Sequence, residues 1–195
     1  MRWKPVLPGL ALMLTAAPAY AHTGVHLSFS FESGFLHPLH GLDHLLAMFA
    51  VGLFAAQLGG RATWLVPGAF VGMMIVGALL GMAGVEIPGV ELGILLSVVA
   101  IALPVAFAFG MPAPVAMVYV GVFALFHGVA HGAELPVEAD AWPYIAGFAL
   151  ATALLHAAGI AVGLACGRAT AGQGALALRA AGGLVVLAGL GLAVA

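Results

Sequence analysis

Six long apolar runs, at residues 42–58, 64–83, 92–109, 115–131, 143–165 and 176–194, leave this chain little choice of fold. A helix needs about 20 largely apolar residues to cross a bilayer, and in lipid a helix satisfies every backbone N–H and C=O within one segment. Charged residues make up 6% of the 195, against about 25% in soluble domains, so a water-facing surface cannot be made from this composition. Connections between the runs are short and leave no room for a soluble domain. The expected fold is all-α: a polytopic membrane bundle of six transmembrane helices. The first run is the shortest, and its polar N-terminal turn is expected to carry the same helix up to about His37.

The N-terminus reads differently. Arg2 and Lys4 precede an apolar stretch over 7–14, and Ala19-Tyr20-Ala21 ends in the small-residue pattern of a signal-peptidase site. An uncleaved first helix is the alternative; Pro5, Pro8 and Pro18 favour cleavage. The expected organisation is a signal peptide over 1–21 and a single six-span domain over 22–195, with His22 as the new N-terminal residue.

Charges sort by side once the mature N-terminus is placed in the periplasm. Arg61, Arg168 and Arg179 fall in or beside the loops after the first and fifth runs, on the cytoplasmic side. Glu32, Glu86, Glu91, Glu134, Glu138 and Asp140 fall on the other. Basic residues decide orientation, so this sorting predicts a multi-pass protein of the bacterial inner membrane with both mature termini periplasmic. Trp64 marks one interface, Trp142 and Tyr144 the other.

Small residues recur four apart at Gly68/Gly72, Gly77/Gly81, Gly128/Gly132, Gly159/Gly163 and Gly163/Gly167, a pattern that brings membrane helices into backbone contact. Pro67 and Pro104 inside runs are expected to kink a helix or free a carbonyl. A net charge of −2 with 5 Lys and Arg offers no basic patch, which excludes nucleic acid as a partner. The lone Cys166 reads as a small apolar filler.

Polar side chains near lipid are costly and by default functional. Here they concentrate in two places. His37-Pro38-Leu39-His40-Gly41-Leu42-Asp43-His44 opens the first run, and Phe126-His127-Gly128-Val129-Ala130-His131-Gly132-Ala133-Glu134 closes the fourth. Both lie on the periplasmic side by the sorting above, so they can meet at one depth. Spacings of three and four align His37, His40 and His44 on one helical face with Asp43 beside them; His127, His131 and Glu134 share another. Imidazole and carboxylate together are the ligands of Ni, Co, Zn and Cu(II), whereas Ca and Mg prefer oxygen alone. Gly41, Gly128 and Gly132 beside the ligands would let the two helices approach. A single such histidine is more often satisfied by headgroups or water; five of them with two carboxylates read as a metal site.

With both motifs on the page, H-P-x-x-G-x-D-H followed by F-H-G-x-A-H-G-x-E, the chain resembles the HupE/UreJ family of nickel permeases. The likeness extends over the whole mature chain. It implies secondary uptake of divalent nickel, or cobalt, that supplies hydrogenase or urease maturation, and it carries the functional positions onto His37, Asp43, His44, His127, His131 and Glu134. His40 stands at a variable position and rests on spacing alone.

Outside the motifs, His22 and His26 could capture ions, and His156, mid-way along the fifth run, could be a second station on the ion's path. Met48, four residues after His44, reads as packing. No GxxxxGK[ST] motif is present, so the chain is not a P-loop ATPase. The expected partners are a divalent metal ion and the lipid bilayer; a homo-oligomer stays open, as does the choice among Ni2+, Co2+ and Zn2+ on ligand chemistry. The competing reading is an intramembrane zinc-dependent hydrolase with Glu134 as general base, for which Ser97 is the one obvious hydroxyl inside a span. A haem carrier ligated by His44 or His127 is a third. The expectation is a transporter rather than an enzyme.

Overall fold

A computed structural model of the chain describes residues 30–135, 141–167 and 173–194. The signal segment and His22, His26, Glu138, Asp140 and Arg168 lie outside the described residues. Every regular element described is a helix: α1 (Phe31–His40), α2 (Leu42–Leu58), α3 (Ala62–Met82), α4 (Val90–Ala106), α5 (Ala113–Ala133), α6 (Ala141–Gly167) and α7 (Gln173–Leu192).

The six apolar runs fall on α2 to α7, but length divides them. Four helices, α3, α5, α6 and α7, are long and apolar enough to cross a membrane, and the α1–α2 pair raises the number to five if it forms one broken span. At about 1.5 Å per residue, the 17 residues of α4 reach about 25 Å, short of a hydrocarbon core of about 30 Å. The structure is thus a helical membrane bundle in which six full-length spans are not all present by length.

A second correction concerns the first run. The helix does not continue to His37; it breaks at Gly41 and bends by 85°. Gly41 is extended (φ −86°, ψ 113°), ending α1 and serving as the N-cap of α2. A Cβ there would stand 2.9 Å from His44 Nδ1 and 3.0 Å from Asp43 Oδ1, so glycine leaves room for those side chains to fold back over the break. At its other end α1 is opened by a capping box, in which Ser33 N donates to Ser30 Oγ at 3.2 Å and Ser30 N donates to Ser33 Oγ at 2.9 Å.

Glycines decide which helices touch. α3 and α5 run parallel with backbones in contact: a Cβ on Gly128 or Gly132 would strike Met74 O or Ala78 O, and one on Gly81 would strike Val129 O. α2 and α6 are also parallel and locked, Gly52 against His156 O and Gly159 against Phe49 O; α1 joins them through Gly34 on Tyr144 O and Gly147 on Phe31 O. Gly128 and Gly132 therefore serve the contact with α3, not the expected approach to α2. Gly68, Gly72 and Gly167 face open space, so the Gly68/Gly72 spacing reflects composition, and Gly163 packs on Ala56 without help from Gly167.

Apolar on all sides, α2 is the central helix and buries Met48, Val51, Leu53 and Phe54 completely. α7 is peripheral, with Leu184 69% and Leu187 66% exposed, as a lipid-facing helix requires. Pro104 has the expected effect. It supplies no N–H to Ala100 O four residues back, and Tyr119 Oη donates to that carbonyl instead at 2.6 Å. Arg61 and Arg179 stand at one end of the bundle; Glu32, Asp43, Glu86, Glu91 and Glu134 stand at the other, where α1, α2 and α6 begin and α5 ends.

Candidate metal centre

That acidic end gathers the histidines. Breaking at Gly41 turns α1 across the bundle and points α2 into it, so His37 arrives from the side and His44 from within the first turn of α2. His127 and His131, one turn apart on α5, arrive from the opposite direction. His44 and His127 are 1% and 0% exposed, His131 is 3%, and His37 is partly buried.

The central contact is His44 Nε2 to His131 Nε2, at 2.7 Å. Around it, the His37 ring centroid lies 4.5 Å from that of His131 and 5.9 Å from that of His44, while His127 lies 4.9 Å from His44. Each of His37, His44 and His131 offers a ligand atom, and these atoms lie within 4.8 Å of one another. An ion bound at about 2.0–2.1 Å holds tetrahedral nitrogens about 3.3 Å apart, so the His44–His131 pair would open by roughly half an ångström to admit one.

Neighbouring groups set the tautomers, as read from the hydrogen-bond network. Asp43 Oδ1 accepts from the His44 backbone N–H at 2.8 Å and lies 2.8 Å from His44 Nδ1. That ring nitrogen therefore carries the proton, and Nε2 keeps its lone pair toward His131. On the other side, Ser97 Oγ donates to Ile94 O at 2.5 Å and so accepts from His127 Nε2 at 2.9 Å. His127 Nδ1 is left as its acceptor, buried and unpaired among the described residues. Glu134 Oε2 stands 3.6 Å from His131 Nδ1, at the exposed rim. Phe148, 4.5 Å from His131 by ring centroids, and Phe70, 5.8 Å from His127, close the apolar wall.

The family model described as HupE / UreJ protein matches residues 10–192. Protein HupE of Rhizobium leguminosarum bv. viciae is 47% identical over 195 residues, which is all of both chains. The chain belongs to the HupE/UreJ family. No solved structure matches it.

Most fixed positions of the two HupE/UreJ-like motifs have a structural place here. In the first, Pro38 is buried inside α1, Gly41 makes the break, and Asp43 holds His44. In the second, the Phe126 ring lies over Gly93 of α4, Gly128 and Gly132 seat α5 on α3, and His127 and His131 face inward. His40, at the variable position, is exposed on α1, so the expected single stripe of His37, His40 and His44 does not form. His156 is deep in the bundle, away from the motifs and 1% exposed.

Two buried hydroxyls are not revealed by sequence spacing. Ser97, a hydroxyl for the competing hydrolase reading, instead orients His127. Thr152 was passed over, although it too is a hydroxyl within a span, 0% exposed on α6. A search for every Ser or Thr inside an apolar run would have found both.

Proposed function

We propose that this HupE/UreJ protein carries a divalent transition-metal ion, nickel before cobalt or zinc, inward across the bacterial inner membrane. The observation that supports this best is the pair of imidazole nitrogens from α2 and α5 turned toward each other at 2.7 Å, with His37 beside them. Three imidazoles beside Asp43 and Glu134 make a site for a borderline ion rather than for Ca or Mg. In this reading His37, His44 and His131 bind the ion, Asp43 orients His44, Glu134 draws cations to the rim and His127 takes the ion next.

Sidedness follows from the arginines. The positive-inside rule puts the Arg61 and Arg179 end in the cytoplasm, so the histidines face the periplasm, as do the mature N- and C-termini. The membrane potential then drives entry: about 2.3 kcal/mol per charge per 100 mV is about 4.6 kcal/mol for a divalent cation, on the order of a thousandfold accumulation. No nucleotide hydrolysis is required. Imported nickel would serve hydrogenase or urease maturation.

The hydrolase reading gains nothing from the geometry. The cavity against His131 has a volume of about 10 Å³, room for about one water and not for a lipid or peptide substrate. Radiolabelled nickel uptake, with cobalt and zinc as competitors, in wild type and in His44→Ala and His131→Ala, tests the transport reading. Uptake unchanged in both variants would reject it.

A further inference from the structure

Below the histidine cluster lies a buried polar residue that the site does not use. His156 is 1% exposed, and among the described residues neither Nδ1 nor Nε2 has a hydrogen-bond partner. A neutral imidazole carries one donor and one acceptor, and leaving either unpaired in an apolar interior costs about 1–3 kcal/mol. Interiors pair such groups with protein, water or an ion.

The surroundings offer soft donors. Thr152, one turn earlier on the same face of α6 and fully buried, donates through Oγ1 to Met48 Sδ at 3.3 Å and lies 3.8 Å from Met74 Sδ. Side chains lean toward the N-terminus of their helix, and on α6 that is the end where Thr152 and the cluster lie. Phe70 packs its ring against His127 at 5.8 Å and His156 at 5.1 Å, and so joins the two levels. Met74 also lines the small cavity against His131. It therefore borders the cluster on one side and Thr152 on the other.

We propose that His156, Thr152 and the sulfurs of Met48 and Met74 form a second, deeper cation station that receives the ion from the histidine cluster. The proposal rests on the transport reading above. Its ligand class is a largely dehydrated divalent transition-metal ion, since imidazole and thioether select borderline to soft ions and reject Ca and Mg. With neutral donors and no carboxylate among them, this station holds a divalent cation more weakly than the outer cluster with Asp43 and Glu134. Weak binding at the second stage lets the ion leave rather than lodge.

The test uses the full chain, with radiolabelled Ni2+ uptake in proteoliposomes and equilibrium Ni2+ binding in detergent. The variants are His156→Asn and the volume-conserving pair Met48→Leu with Met74→Leu. Each is expected to keep high-affinity Ni2+ binding at the outer cluster within about twofold, while the maximal uptake rate falls about tenfold or more. The half-saturating concentration, set by the outer cluster, stays put. A variant that loses outer binding has lost its fold, and the other then decides. Maximal uptake within about twofold of wild type in a variant that keeps outer binding overturns the proposal. Failure of the transport reading looks different: the wild-type protein itself moves no Ni2+.

Discussion

His44 and His131 face each other through their Nε2 atoms across 2.7 Å, although 87 residues separate them in sequence. No backbone lock joins α2 to α5 as it joins α3 to α5; the rings themselves cross the space between. The contact thus depends on how each imidazole is held, and several measurements follow from that.

Asp43→Asn keeps the shape but replaces the carboxylate that accepts from His44 Nδ1 with an amide of ambiguous role. Loss of such a carboxylate partner lowers metal affinity roughly 10–100-fold. Equilibrium Ni2+ binding to the purified variant should show this, with unfolding little changed.

His37 and His40 lie on one short helix, three residues apart, with different surroundings. His37→Ala should reduce Ni2+ affinity about tenfold or more, because it removes one of three imidazoles. His40→Ala, at an exposed position, should leave uptake within about twofold. Equal losses in the two variants would show that helical spacing, not the break at Gly41, describes the site.

Ser97→Ala leaves the His127 Nε2–H without its acceptor inside the bundle, which costs about 1–3 kcal/mol. Denaturant unfolding in detergent should register the loss without any metal present. Ser97→Thr, which retains the hydroxyl, should recover part of it.

Gly132→Ala places a methyl against Ala78 O of α3, and overpacking of this kind costs about 1–3 kcal/mol. Gly72→Ala, on the same pair of helices but facing open space, should be neutral or slightly stabilising. Comparing their thermal unfolding separates glycines that seat helices from those that merely occur.

Much of this was legible in the residues. Hydropathy located α2 to α7 because lipid demands long apolar helices, and the i,i+4 spacing put His127 and His131 on one face of α5, whereas the same spacing of His40 and His44 is undone by the break at Gly41. Gly77/Gly81 and Gly128/Gly132 stood out as a contact surface, but not which helix they contact, since a glycine stripe carries no partner's address. The turn at Gly41 was hidden for a related reason: glycine is tolerated within membrane helices, and only the folded-back Asp43 and His44 side chains demand the break. Thr152 escaped notice because a single hydroxyl in an apolar run has no periodicity to betray it.

The glycine contacts also divide the molecule. One tight unit is α1, α2 and α6, carrying His37, His44, Thr152 and His156; a second is α3 with α5, carrying Met74, His127 and His131; a third is α4 with α7, seated by Gly182 on Ala106 and Gly189 on Val98. The groups proposed to bind the ion therefore belong to the first two of these bodies, and the proposed ligand sphere straddles the seam between them. An ion that prefers one spacing of the bodies shifts the population toward it by its difference in affinity. On the transport reading, coordination in such a molecule acts as a wedge: admitting the ion parts His44 from His131 by roughly half an ångström, and releasing it lets the two bodies close.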